Sequence, residues 1–245
     1  MTSVVVLIPA RFGSSRFPGK PLAKIAGRSM IERVYTNCKK AGFKTAVVTD
    51  NDEIEAHVKS FSGVVLRVND DVPSGSERIA LAYQRFFQDA KADLVINVQG
   101  DEPLLNGEIL KELAAFHLSS SYPITTLLRE RKSSEDDFKN PNVVKAIWSE
   151  KTKQCMYFSR QSLPYDRDGG QDFSWYHHIG VYSYRPEALL AFVKLPVSKL
   201  EDLEKLEQLR ALENGYSLGA ILTTQKLIGV DVPDDIKKVE GALSE

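Results

Sequence analysis

The sequence predicts an α/β fold, and three observations carry that prediction. Short β-branched runs, SVVVLI at 3–8, TAVVT at 45–49 and DLVINV at 93–98, are apolar throughout, as in strands covered on both faces. Segments with apolar residues at helical spacing separate them. Polar loops rich in Gly and Pro, RFGSSRFPGK and QGDEP, follow two of these runs, at the sheet edge where α/β proteins bind ligands.

Taken in order, the first strand spans Ser3 to Ile8, with Pro9 expected to stop it. Met30, Ile31, Val34, Tyr35 and Cys38 define one face of a helix. Strands are expected at 45–49 and 64–68, with a short helix over 52–59 between them. Ser74-Gly75-Ser76-Glu77 has the form of a capping box, opening a helix that carries Ile79, Ala82, Tyr83, Phe86 and Phe87. A strand over 93–98 precedes QGDEP, and 106–118 reads as helix. In the second half, 143–148 and 154–158 read as a hairpin, 166–174 as a polar mobile loop, and 176–184 as a strand. Leu200, Leu203, Leu206, Leu209 and Leu212 recur every third residue, which predicts one helix packed on more than one side. On that helix Glu207 falls within the leucine arc and Gln208 outside it. A strand over 220–228, GVDVPDD and a small helix with Ile236, Val239 and Leu243 complete the chain.

Composition narrows the function class. At 245 residues, 42% hydrophobic and 27% charged, the chain has the make-up of an ordinary globular protein. A net charge of −1 excludes a global attraction to nucleic acid or an anionic membrane. Cys38 and Cys155 sit among apolar neighbours outside any CxxC, as buried thiols would. The opening segment lacks a signal-peptide pattern and no apolar run reaches transmembrane length, so a cytoplasmic protein is expected.

Local charge must therefore bind any anion. Arg11, Arg16, Lys20, Lys24 and Arg28 precede the first acid, Glu32. The loop is not a P-loop: five residues separate Gly13 from Gly19, and Pro21 follows Lys20. Such a loop either cradles phosphates or is a solvated basic turn. Asp101, just past a buried strand, suits an Mg²⁺ ligand or an Asx turn, and Asp231 suits a second ligand or a helix cap. Arg160 could grip a carboxylate or lie on the surface. His177 and His178 are adjacent on a strand, so they face opposite sides and do not form a metal pair.

These segments together resemble one family. I-P-A-R-x(4)-R-x-P-G-K-P-L, SGSER, VQGDEP, NPNVVK, YFSR, HHIGVYSYR, LEKLEQLR and GVDVPDD occur in the order seen in 3-deoxy-manno-octulosonate cytidylyltransferases, the CMP-Kdo synthetases. The resemblance covers about Val4 to Ile236. It implies a nucleotide-diphospho-sugar transferase-like mixed α/β sheet, Rossmann-like, with helices on both faces and an inserted sugar-binding and dimerisation region. It also implies a single domain whose nucleotide half spans about 1–130, whose sugar and dimer region spans about 131–220, and whose last segment, about 221–245, returns to the main sheet. The implied reaction joins CTP and a 3-deoxy-octulosonic acid into CMP-sugar and diphosphate, with Mg²⁺, in a cytoplasmic homodimer that serves lipopolysaccharide synthesis. By motif, Pro9, Ala10, Arg11, Arg16, Lys20, Ser76, Arg78 and Gln99 bind the nucleotide. Lys20, Arg11, Asp101 and Asp231 are catalytic, Asp101 and Asp231 holding the metal. Arg160, His178, Tyr184, Glu207 and Gln208 line the sugar pocket. His178-Ile179-Gly180 and Tyr182-Ser183-Tyr184 replace the family's usual H-L-G and Y-G-Y, so the acceptor is either Kdo or its 8-amino-3,8-dideoxy analogue. Alternatives are a sialic-acid type synthetase and a non-catalytic nucleotide-binding module.

Overall fold

A computed structural model describes residues 2–13, 17–170 and 172–244. The chain divides into two compact units, Met1–Ala114 with Lys226–Glu245, and Ala115–Gln225. The sequence reading placed its internal divisions near 130 and 221 of a single domain.

The first unit opens with β1 (Val4–Ala10), every residue of it buried. It runs through Pro9, where the sequence reading ended it. β6 pairs with β1 only as far as Leu7, so Pro9 lies where β1 is bonded to β4 alone and a missing N–H donor is tolerated. The short pair β2 (Lys24–Ile25) and β3 (Arg28–Ser29) leads to α1 (Met30–Lys39), capped by the Ser29 side chain, with Met30, Ile31, Val34, Tyr35 and Cys38 buried as their spacing requires. Then follow β4 (Lys44–Thr49), α2 (Asp52–Ser60), β5 (Val65–Arg67), α3 (Gly75–Phe86), β6 (Leu94–Val98) and α4 (Gly107–Ser119). The capping box at Ser74 and Glu77 forms in full. The strand order β5-β4-β1-β6 is parallel throughout, which places the loops after β1, β4 and β6 along one edge.

The second unit contains β7 (Ile124–Lys132), which the sequence reading passed over, then β8 (Lys145–Trp148), β9 (Gln154–Ser159) and β10 (Ser174–Tyr184). Helices α5 (Pro186–Phe192), α6 (Lys199–Glu204) and α7 (Gln208–Glu213) precede β11 (Leu218–Leu222). The order is β10-β7-β11-β9-β8, and β8 also pairs with β10, so the five strands close on themselves. β7 and β11 are parallel and the other pairings antiparallel.

Two expectations fail here. The leucine repeat is not one helix: Lys205, at φ 52, takes the left-handed conformation and breaks it into α6 and α7. The helical wheel fails with it, because Leu203 is exposed while Leu209 and Gln208 are buried. The last strand also ends at Leu222 rather than running to 228.

The chain then returns to the first unit and ends in α8 (Asp235–Ser244). Val230 and Val239 bury against Ile25 and Met30, with Phe17, Leu104, Ile228 and Ile236 packed around them. Fully burying side chains of this size is worth about 1.5–3 kcal/mol each. This cluster pins the C-terminal segment beside the loop after β1, which matters for the site.

Candidate active site

The loop after β1 closes on itself. The Gly19 N–H donates to the Phe12 carbonyl at 2.9 Å, and Gly19 holds φ 68, a conformation that glycine adopts without a Cβ clash. This turn presents Lys20 at the start of a short 3₁₀ helix, Lys20–Leu22. The Lys20 ammonium donates to Asp101 Oδ2 at 2.6 Å and to the Val230 carbonyl at 2.9 Å, with Asp231 Oδ1 at 3.8 Å. Residues from three distant segments therefore meet at one cation. The Val230 N–H donates to the Asp101 carbonyl at 3.0 Å, so main chain as well as charge joins the two acidic loops. The Asp231 and Val232 N–H groups are tied to Asp235 Oδ2 at 3.0 and 3.1 Å.

Glu102 adds a third acid. Its carboxyl is buried, and its Oε2 has no hydrogen-bond partner. Burial first, then the charges of Asp101 and Asp231, push its pKa up to about 8, so it is a neutral acid at pH 7.

Above this cluster lies an open cavity of about 260 Å³ lined by Pro9, Ala10, Arg11, Lys20, Gly75, Gln99 and Asp101, among others. Arg11 donates through Nη1 to the Pro73 carbonyl at 3.2 Å and through Nη2 to the Val72 carbonyl, which fixes its guanidinium at the wall. Burial, then the nearby Arg78 charge, lower its pKa, against the opposing charges of Asp50, Glu77 and Asp71. The Gln99 amide donates to Asn97 Oδ1 at 3.3 Å. A Cβ on Gly100 would come within 3.1 Å of the Pro9 carbonyl, so the QGDEP turn needs glycine for its close approach to β1.

Of the nucleotide-binding residues read from sequence, Pro9, Ala10, Arg11, Lys20 and Gln99 share this cavity. Ser76 and Arg78 are not among its lining residues and are buried in α3. Arg78 pairs with Asp50 Oδ2 at 2.7 Å and donates to the Val68 carbonyl at 2.6 Å. Arg16 lies outside the described residues.

The residues assigned to the sugar pocket all fall in the second unit, and their character differs. His178 is buried; its Nε2 lies 3.1 Å from Thr126 Oγ1, and its ring packs on Phe158 and Tyr182 with centroids 4.9 and 5.4 Å apart. Burial lowers its pKa to about 3, so it is a neutral imidazole. Tyr182 stacks on toward Tyr184 at 5.9 Å, and Tyr184 packs on Phe192. Burial, then the charges of Tyr184 and Glu207, raise the Tyr182 pKa. Gln208 is buried, and among the described residues its Nε2 lacks a hydrogen-bond partner. Arg160 is engaged otherwise than its expected grip on an acceptor carboxylate. Its Nε donates to the Glu204 carbonyl at 2.7 Å, Nη1 to the Pro141 carbonyl at 3.0 Å and Nη2 to the Lys205 carbonyl at 3.4 Å. A bidentate grip on a carboxylate would compete with these bonds.

The cytidylyltransferase family profile matches residues 5–226. A 3-deoxy-manno-octulosonate cytidylyltransferase of Thermodesulfovibrio yellowstonii is 39% identical over 98% of both chains. The chain belongs to the 3-deoxy-manno-octulosonate cytidylyltransferase family. An 8-amino-3,8-dideoxy-manno-octulosonate cytidylyltransferase of Shewanella pealeana is 41% identical over 99% of both chains. A solved CMP:2-keto-3-deoxy-manno-octonic acid synthetase complexed with CTP is 32% identical, with a TM-score of 0.90 over 99% of each chain. Family membership establishes the nucleotidyltransferase-like α/β fold expected from the motifs.

Sequence reasoning missed several residues that shape this cytidylyltransferase site. Asp50 follows β4 as Asp101 follows β6, so the strand-edge rule that singled out Asp101 could have found it. Glu102 stood next to Asp101 in QGDEP, but only burial distinguishes a neutral carboxyl from a solvated one. Thr126 lies on β7, a strand that was not recognised, and Tyr182 reads as core.

Proposed function

We propose that this chain transfers the cytidylyl group of CTP to the anomeric 2-hydroxyl of Kdo or its 8-amino analogue and releases diphosphate. It does so with Mg²⁺, as a cytoplasmic homodimer that feeds lipopolysaccharide synthesis. The observation that carries this reading is the convergence of Asp101, Asp231 and Lys20 below the Arg11 wall. The family relationship supplies the substrates.

The donor set suits a hard cation: two carboxylates and the Val230 carbonyl are all oxygen ligands. Among the described residues, no group of three or more His, Cys, Asp or Glu side chains could hold a metal ion. Two carboxylates with phosphate and water completing the shell agree with the way Mg²⁺ is commonly bound. Asp101 and Asp231 would hold it, where it would neutralise phosphate charge and lower the pKa of the attacking hydroxyl.

The chain's own groups do the rest. Lys20 and Arg11 face the β- and γ-phosphates and stabilise diphosphate as it leaves in line. Neutral Glu102 lowers the repulsion that a third carboxylate would add. In the second unit, neutral His178 and the unmet Gln208 amide offer hydrogen bonds to acceptor hydroxyls, with Tyr184 and Glu207 beside them. No covalent enzyme intermediate is needed, since positioning and charge neutralisation suffice.

A diphosphate-release assay with CTP, Mg²⁺ and a panel of Kdo, 8-amino-Kdo and sialic acid tests the proposal. Turnover with either octulosonate, abolished by chelation, is expected. Turnover with sialic acid alone would assign another synthetase, and CTP binding without turnover would make the chain a nucleotide-binding module. Sedimentation of the purified chain at twice the monomer mass checks the dimer.

A further inference from the structure

Lys145 is among the largest fully buried side chains of the molecule, and the catalytic site does not use it. A buried ammonium is costly unless its three N–H donors are all met. Here they are: Lys145 Nζ donates to the carbonyls of Asn140 at 2.7 Å, Val143 at 2.8 Å and Arg160 at 3.0 Å. No ion pair among the described residues includes it. Its whole function in the fold is to gather three main-chain carbonyls onto one point.

Those carbonyls lead toward the acceptor pocket. The Val144 carbonyl, between Val143 and Lys145, accepts the His178 N–H at 2.9 Å. Arg160, held by its own carbonyl, extends its guanidinium to the carbonyls of Pro141, Glu204 and Lys205. Glu204 answers by accepting the Arg160 N–H at 2.8 Å and the Ser159 hydroxyl at 2.6 Å. Lys205 is the left-handed residue that breaks α6 from α7, so its placement sets where Glu207 and Gln208 begin the next helix. Lysine and arginine thus form a relay of main-chain bonds from β8 to the α6–α7 break.

We propose that Lys145 is a positioning residue for the sugar acceptor: through Arg160 and the 140–144 turn it sets the backbone of His178 and of the segment carrying Glu207 and Gln208. The proposal rests on the reading of those side chains as the acceptor pocket. Only a tetrahedral ammonium converges three donors on one spot. Arginine, with a planar fork, is therefore not a conservative substitute.

The test compares full-length Lys145→Met, Lys145→Gln and Gln208→Ala in steady-state kinetics with CTP, Mg²⁺ and Kdo. Lys145→Met keeps an unbranched side chain, one atom shorter, and removes all donors. It should raise the acceptor KM by about 10-fold or more, since displacement of about 1 Å can cost up to about 100-fold. The KM for CTP should stay within about 3-fold of wild type, because the nucleotide cavity is untouched. Lys145→Gln, with two donors, should fall between. A purely structural lysine would lower the melting temperature of both variants and leave the acceptor KM unchanged, which overturns the proposal. Insolubility of both variants would also overturn it, by making Lys145 a folding requirement. If Gln208→Ala leaves the acceptor KM unchanged, the pocket reading fails and the proposal with it. If Gln208→Ala raises that KM and Lys145→Met does not, the pocket stands and the proposal falls.

Discussion

The site in the first unit and the pocket residues of the second are built on opposite principles. The first is charged: one ammonium, two carboxylates and a guanidinium at the wall of an open cavity, with Lys20 and Asp101 alone 81 residues apart in the chain. The second sets buried neutral groups, the His178 imidazole and Tyr184 phenol among aromatic rings and the Gln208 amide, beside the charged Arg160 and Glu207. The difference matches the two halves of the proposed reaction. A triphosphate carries concentrated charge that must be neutralised, whereas a sugar is recognised by directional hydrogen bonds in a shaped pocket. It also means that damage should read out differently, as lost turnover in one unit and as altered acceptor affinity or stability in the other.

The sharpest test of that contrast is Lys20→Ala. Removing a charge donor to the leaving group should lower kcat by about 10²–10³ with little change in acceptor KM. Wild-type turnover in that variant would remove the charged site from the chemistry. Next, Asp101→Asn should shift the Mg²⁺ activation midpoint upward by about 10-fold or more while thermal unfolding changes little. An Mg²⁺ titration that superimposes on wild type would mean that Asp101 is no ligand. Arg160→Ala should raise the acceptor KM more than that of CTP. It should also cost about 0.5–1.5 kcal/mol in stability, because the half-buried Glu204 carbonyl loses a donor while the bonds to Pro141 and Lys205 are exposed. An effect on CTP alone would break the division between the units.

The last test of the contrast is a pH dependence. Burial lowers the pKa of His117 to about 4, of His177 to about 4 and of His178 to about 3, all in the second unit. Their folded pKa values lie below the ordinary 6.5, so the unfolded chain binds more protons as the pH falls. Stability is fully present above about pH 6.5 and is lost on acidification toward pH 4, at up to about 1.4 kcal/mol per pH unit for each histidine. His178→Asn should flatten part of that slope in urea titrations at pH 7, 6 and 5. An unchanged slope would show that His178 is not held neutral.

The same contrast explains what could be read in advance. Lys20, Asp101 and Asp231 could be singled out because they are charged residues in Gly- and Pro-rich loops, although such positions also suit turns and helix caps. Apolar runs and capping residues likewise located α1, α3 and β6 closely. β7 was missed because ITTLL turns polar at Arg129, Glu130 and Arg131, so only its first half reads as a buried strand. The leucine repeat misled for a local reason: nothing in EKLEQ announces that Lys205 adopts φ 52, a conformation stabilised by contacts made elsewhere.

By itself, the sequence determined the alternation of strands and helices, through periodicity, the charged Gly- and Pro-rich loops, through composition, and the family, through its ordered motifs. Only the tertiary structure decided that Lys20 bridges Asp101 and Asp231, that Glu102 is a neutral acid, and that Arg160 and Lys145 serve the main chain. Those outcomes depend on burial and on which distant carbonyl or carboxylate lies within about 3 Å, and hydrogen bonds and desolvation act through space rather than along the chain.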